Sequence, residues 1–223
     1  MAKYPTPGRV KTRLHPTLTP EQAAEVQKVF LLHTIARLQA MSAAPVVVCF
    51  DPPEQAAAFV GLLGPEMELI PQSPGDLGHR MASAAVTLGK RFDRLLFFGV
   101  DSPDVPEKAL RELHELALAH EAMLAPTHDG GYWSVGGSTD LKWVNILRDI
   151  AWSSGRECAQ TKSALEAAGH TVALAQAWSD VDHPADLYAL VDRLTLGSTD
   201  DDLQLLKLIH PFAAHREREK VVA

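Results

Sequence analysis

The chain predicts an α/β fold with a mostly parallel, mixed sheet and helices on both faces. Strand and helix signals alternate along most of its length, the pattern of successive βα units. The run Arg94-Leu-Leu-Phe-Phe-Gly-Val-Asp101 is apolar without polar alternation, as suits a buried strand of a parallel sheet. Two acids, Asp101 and Asp104, stand just after it, where open α/β sheets bind ligands.

Each element has its own local signal. Thr19-Pro20-Glu21-Gln22 is a capping box with proline at the first helical position, opening a helix to about Ala40. Pro45 to Phe50 is a β-branched strand ended by Asp51-Pro52-Pro53. A short helix over 54–63 and a strand over 67–71 follow, and Leu77 to Leu88 reads as a helix stopped by Gly89. After the strand at 95–100, Pro106 starts a helix to about His120. Strands are expected at 122–126 and 132–136, around the turn Asp129-Gly130-Gly131. Ser154-Gly155-Arg156-Glu157 is a second capping box, opening a helix closed by Gly169. Strands over 171–175 and 178–182 precede a helix from Pro184 to about Leu194. This predicts one domain over 1–194. A linker at Gly197-Ser198-Thr199 then leads to a tail over 195–223, with one apolar stripe (Leu203, Leu206, Ile209) and a frayed, mixed-charge end. The sheet should have a strand before residue 3, where only Met1 and Ala2 stand. Either that first strand is minimal, or the true start lies upstream and Met1 is internal.

Composition narrows the function. The 223 residues carry 21 basic and 28 acidic side chains, a net charge of −7 that argues against a general nucleic-acid binder. The first twenty residues nevertheless hold Lys3, Arg9, Lys11 and Arg13 and no acid, which points to a small anion. The two cysteines have no metal-ligand spacing and read as buried free thiols of a reducing compartment. No apolar segment has the length of a membrane span and no signal peptide opens the chain, so a cytoplasmic protein is expected.

Five constellations could carry chemistry. In Lys3-Tyr-Pro-Thr-Pro-Gly8-Arg9-Val-Lys11-Thr-Arg13, the prolines and Gly8 prevent regular structure. If 9–13 is extended, Arg9, Lys11 and Arg13 project to one side and cradle a di- or triphosphate. The segment lacks the glycine spacing of a P-loop. Asp101 fits a magnesium ligand, because that ion takes one or two carboxylates and keeps waters or phosphate oxygens. Asp104 reads instead as an acid of the next helix start. In Asp180-Val-Asp182-His-Pro184-Ala-Asp186, either Asp180 or Asp182 could close on the same metal, while Asp186 is explained by the helix dipole alone. The Asp129-Gly130-Gly131-Tyr132-Trp133 turn could line a pocket for a sugar or base. The glycines of Gly75-Asp76-Leu-Gly78-His79-Arg80, at a helix entrance, could present backbone amides to a ligand.

Taken in order, Ala2 to Leu14, Gly75 to Arg80, Gly99 to Pro106, Asp129 to Tyr132 and Asp180 to Leu187 resemble the radical-SAM/selenodomain-associated transferases. These are glycosyltransferase-like members of the nucleotide-diphospho-sugar transferase superfamily, and the resemblance covers roughly residues 2–194. It implies a GT-A-type, Rossmann-like three-layer fold with a nucleotide over the carboxyl edge of the sheet. It implies Mg2+ or Mn2+ held by Asp101 and Asp182. Lys3, Gly8, Arg9, Lys11, Arg13, Asp76, Gly78 and Arg80 would then bind the nucleotide and its phosphates. Gly130, Gly131 and Tyr132 would bind substrate, with Asp129 as an acceptor-side base. The expected function is a metal-dependent transferase using a nucleotide-sugar and a small-molecule acceptor. A guanylyltransferase-like nucleotidyltransferase using a nucleoside triphosphate is the first alternative, and a degenerate nucleotide-binding module the second.

Overall fold

The structure, a computed structural model, describes residues 1–15, 17–41, 44–139, 141–197 and 199–213, without the side chains of Leu141 and Lys142. In chain order its elements are β1 (Ala2–Lys3), a 3₁₀ turn (Thr12–Leu14), α1 (Pro20–Met41), β2 (Val47–Asp51), α2 (Ala56–Leu63), β3 (Glu68–Pro71), α3 (Leu77–Leu88) and β4 (Arg94–Phe98). There follow α4 (Glu107–Ala119), β5 (Ala122–Pro126), β6 (Tyr132–Ser138), α5 (Leu141–Ile146), α6 (Glu157–Ala167), β7 (Val172–Leu174), α7 (Pro184–Leu196) and α8 (Asp200–Ala213). Ser198 of the expected linker and the mixed-charge end over 214–223 lie outside the described residues.

The chain forms two compact units, each assembled from separated segments. The first comprises Met1–Ala2, Ala44–Gly99 and Val105–Ser179. Its strands form a three-stranded sheet in the order β1-β2-β3 and a four-stranded sheet in the order β4-β6-β5-β7. β2 and β3 run parallel, as do β5 and β7, while β6 is antiparallel to both β4 and β5. The terminal amine of Met1 donates to the carbonyl of Phe98 at 3.0 Å, tying the start of β1 to the end of β4. A core of Met81, Ala85, Phe97, Leu124, Val135, Trp143, Leu147 and Leu165 is drawn from α3, α5, the 3₁₀ turn Leu147–Asp149, α6 and the strands β4, β5 and β6. Cys49 is buried, Cys158 half-buried, and both are free thiols that burial raises above the ordinary thiol value.

The second unit comprises Lys3–Ala43, Val100–Asp104 and Asp180–Ala223. Its core joins Leu14 and Leu18 to Val26 and Phe30 of α1, Leu187, Leu190 and Leu194 of α7, and Leu205 and Ile209 of α8. Fully burying one such side chain is worth about 1.5–3 kcal/mol. Of the expected tail stripe, Ile209 is in this core and Leu206 packs against it, and only Leu203 is misplaced. Leu205 and Ile209 face the core, while Leu203 is exposed.

The capping box of α1 forms as expected, with the Thr19 amide on Gln22 Oε1 at 2.9 Å and the Gln22 amide on Thr19 Oγ1 at 3.3 Å. Three local readings need correction. The apolar run of β4 has an antiparallel neighbour, β6, because cover on a strand depends on the layers around it and not on its partner's direction. No strand forms over 178–182. Only one bridge, Thr127 to Trp178, occurs there, and the Val181 amide turns to a different partner. Residues 9–13 are not extended either, since Lys11 takes left-handed backbone angles (φ 46°, ψ 37°) and Thr12–Leu14 coil into the 3₁₀ turn.

Candidate functional site

In the second unit the basic loop, the segment after β4 and the entrance to α7 converge on one cluster of charges. Val10 and Leu14 are buried and pin the loop on either side of Lys11. The Leu14 amide donates to the Lys11 carbonyl at 2.9 Å, closing the turn. A non-glycine residue held in the left-handed region costs of order 1–3 kcal/mol and persists only where the surroundings impose it. The result is that the Lys11 side chain turns inward. Its ammonium forms a very short ion pair with Asp101, donates to the Val181 carbonyl at 2.5 Å and lies 3.8 Å from Asp182 Oδ1. The ring of Phe30 underlies it at 5.4 Å, and only 4% of the side chain is exposed.

Backbone contacts fix the two acids. The Val181 amide donates to the Asp101 carbonyl at 2.8 Å, lacing the two segments together. Asp186 Oδ2 accepts from the amides of Asp182 at 3.1 Å and His183 at 2.7 Å, so Asp186 orders the start of α7. Arg13 completes the cluster through Asp182 Oδ2 at 2.7 Å. Lys11, Arg13, Asp101 and Asp182 thus form a neutral set of four charges. Lys3, Gly8 and Arg9 are exposed, and no acid lies within ion-pair distance of Lys3 or Arg9 among the described residues.

The rest of the Asp101-Ser-Pro-Asp104 motif anchors the segment. Asp104 is buried and receives Arg193 of α7 in a forked pair, Nε to Oδ2 at 2.7 Å and Nη2 to Oδ1 at 3.2 Å. Arg37 of α1 donates to the Pro103 carbonyl at 2.8 Å and pairs with Asp201 of α8 at 2.8 Å. Nothing local in the sequence names these partners, which is why Arg37 and Arg193 escaped notice there.

A divalent cation is the cofactor that the resemblance implies for Asp101 and Asp182. Among the described residues no group of three or more His, Cys, Asp or Glu side chains is placed to hold a metal ion. Two carboxylates nevertheless suit magnesium or manganese, which fill their remaining positions with water and phosphate oxygens. Both acids already approach one cation, the Lys11 ammonium.

The other sequence-derived candidates lie in the first unit, where each has a structural task. Asp76 caps α3, accepting from the His79 amide at 2.9 Å and meeting the His79 ring at 2.8 Å, and these contacts lower its pKa. Arg80 donates to the Gly75 carbonyl at 2.9 Å and to Gln72 at 3.0 Å, and pairs with Asp51 at 3.2 Å. Gly78 is a packing glycine, because a Cβ there would stand 1.8 Å from the Leu147 carbonyl oxygen. Asp129 Oδ1 accepts from Thr127 Oγ1 at 2.5 Å and from the Gly131 amide at 3.0 Å, tying up the turn. Gly130 adopts φ 97° against the carbonyl of Gly155. Tyr132 stacks edge-on against Trp152, with ring centroids 6.0 Å apart, and burial raises its phenol well above the ordinary value. Among the described residues no helix is long and apolar enough to cross a membrane.

Residues 34–154 match the family described as an uncharacterized protein conserved in bacteria, DUF2064. The chain belongs to the DUF2064 family. This DUF2064 chain is similar over 95% of both lengths to a solved structure of a candidate nucleotide-diphospho-sugar transferase from Desulfovibrio desulfuricans G20, with 28% identity and a TM-score of 0.84. It also matches 4-diphosphocytidyl-2C-methyl-D-erythritol synthase at 18% identity, covering 75% of this chain and 88% of that one, with a TM-score of 0.56. A third likeness is to CMP:2-keto-3-deoxy-manno-octonic acid synthetase complexed with CTP, at 16% identity, covering 87% of this chain and 96% of that one, with a TM-score of 0.53. The last two speak to fold alone, and with the first they make this an α/β fold of the nucleotide-diphospho-sugar transferase and nucleotidyltransferase type. No curated protein matches the chain.

Proposed function

We propose that this chain is a metal-dependent transferase that takes a group, a sugar, from a nucleotide-activated donor and passes it to a small-molecule acceptor, in the manner of the radical-SAM/selenodomain-associated transferases. The observation that carries this reading is the cluster of Asp101 and Asp182 around a single cation, at the end of an acid-free basic loop. Asp101 and Asp182 would hold Mg2+ or Mn2+, which, when bound, supplies positive charge at the departing diphosphate. Lys11 and Arg13, with exposed Lys3 and Arg9 and the close backbone approach at Gly8, bind and neutralise the same phosphates. Charge placed in advance where negative charge develops is the usual electrostatic source of rate in such transfers. In the first unit, Asp76, Gly78 and Arg80 are proposed to face a nucleotide. There too, Gly130, Gly131 and Tyr132 are proposed to face substrate, and Asp129 to accept a hydroxyl proton.

A calorimetric screen of nucleotides and nucleotide-sugars with manganese tests the reading. Asp101→Asn should abolish metal-dependent nucleotide binding, and binding at wild-type strength would refute the assignment. Lys11→Ala and Arg13→Ala should weaken nucleoside diphosphates more than nucleosides, and equal losses would refute the phosphate role. Release of a nucleoside diphosphate selects sugar transfer. Release of pyrophosphate from a nucleoside triphosphate selects nucleotidyl transfer instead.

A further inference from the structure

We propose that Lys11 and a divalent cation compete for Asp101 and Asp182, so that the site loads by exchange of partners. The metal takes the two acids, while Lys11 and Arg13 turn to the phosphates that accompany it. This rests on the reading of the two acids as metal ligands given above.

Three observations point to exchange. The Lys11 ammonium already sits where both carboxylates can reach one cation, ion-paired to Asp101 and 3.8 Å from Asp182. Exposure is unequal, at 4% for the Lys11 side chain against 46% for Asp101 and 31% for Asp182. A cation can therefore arrive at the acids from solvent, whereas a phosphate cannot reach the amine until Lys11 moves. Charge balance sets the third condition. The cluster holds two cations and two anions. A dication alone at the acids strands Lys11 and Arg13, and a diphosphate alone strands the acids. Metal and diphosphate together give both acids and both basic side chains a partner of opposite charge, so the two ligands should bind cooperatively and each alone weakly.

The test uses Mn2+ and inorganic diphosphate, with no nucleotide. In calorimetry, Lys11→Met should bind Mn2+ at least about tenfold more tightly than the wild type, because a charge-assisted competitor has been removed. The same variant should lose affinity for diphosphate. Mn2+ affinity that is unchanged or lower in the folded variant overturns the exchange, as does absence of Mn2+ binding by both proteins. A second measurement needs only the wild type. Acetylation of the Lys11 amine, read by mass spectrometry against exposed Lys3, should be slow without metal and several-fold faster at saturating Mn2+. No increase also overturns the proposal. Failure of the donor reading shows separately, as wild-type protein that binds Mn2+ but no nucleotide.

Discussion

Removing the carboxylate of Asp104 should unfold the second unit far more readily than removing that of Asp101, three residues earlier. Asp104 keeps 3% of its side chain exposed and receives Arg193 through a fork at 2.7 and 3.2 Å. Breaking a fully buried pair by deleting one partner costs about 3–5 kcal/mol, because the remaining charge is stranded. Arg193 retains 30% exposure and can partly rehydrate, so the loss for Asp104→Ala should be roughly 2–3 kcal/mol. For a chain of this size that lowers Tm by about 4–12 °C. Asp101 is 46% exposed, and asparagine keeps an acceptor for Lys11, so Asp101→Asn should cost no more than about 1 kcal/mol. Urea denaturation followed by circular dichroism measures both changes. The double variant Asp104→Ala/Arg193→Met should recover part of the loss, since neither charge of the pair is then left facing a missing partner. A single variant within about 0.5 kcal/mol of wild type, a range typical of surface substitutions, or a double variant no more stable than the single, refutes the anchoring role.

Two further predictions concern stability. Burial lowers the pKa of His33, and Arg37 adds to the effect while Asp201, Asp202 and Asp104 oppose it. The unfolded chain therefore takes up this proton first, so stability should be complete above about pH 6.5 and fall as the pH drops below it. His33→Gln should flatten the pH dependence of the urea midpoint below about pH 6.5, and an unchanged slope would place the acid sensitivity elsewhere. Gly78→Ala puts a methyl group 1.8 Å from the Leu147 carbonyl oxygen and should cost about 3 kcal/mol or more. Gly61→Ala, in α2 with nothing within 4 Å, should instead add about 0.5–1 kcal/mol. Equal melting temperatures for these two variants would contradict the packing around Gly78.

What could be read from the chain depended on how far apart the partners lie. Thr19 and Gln22 cap α1 from three residues apart, so their signal is local and complete. Asp101 was legible as a strand-end acid, and Asp104 as a structural one, from the proline that follows. The partner of Asp104 was not legible, because Arg193 is 89 residues away and looks like any basic residue in the last turn of a helix. The direction of β6 beside β4 was hidden for the same reason, since strand pairing is a property of the assembled sheet. The strand expected over 178–182 failed because the Val181 amide bonds to the Asp101 carbonyl instead of continuing a ladder. The glycines at 78 and 130 were visible as unusual positions, but whether a ligand or the Leu147 and Gly155 carbonyls required them could not be told.

The same distinction bears on whether the basic loop is a working part or a relic. Read as a charge run, its four cations are equivalent. In the folded chain they divide, with Lys11 and Arg13 drawn to Asp101 and Asp182 while Lys3 and Arg9 stay exposed. Lys11 holds its place from a left-handed backbone that glycine would adopt without strain. A loop kept only for its course through the second unit would be more stable with glycine at that position. The lysine side chain must therefore offset the backbone strain, through its ion pair with Asp101, its bond to the Val181 carbonyl and its place over the Phe30 ring together. Arg13, Asp101 and Asp182 are 60%, 46% and 31% exposed, so their ion pairs add little to the stability of the fold. A strained lysine facing two half-exposed acids is the arrangement that the proposed exchange requires, and a degenerate module has no use for it.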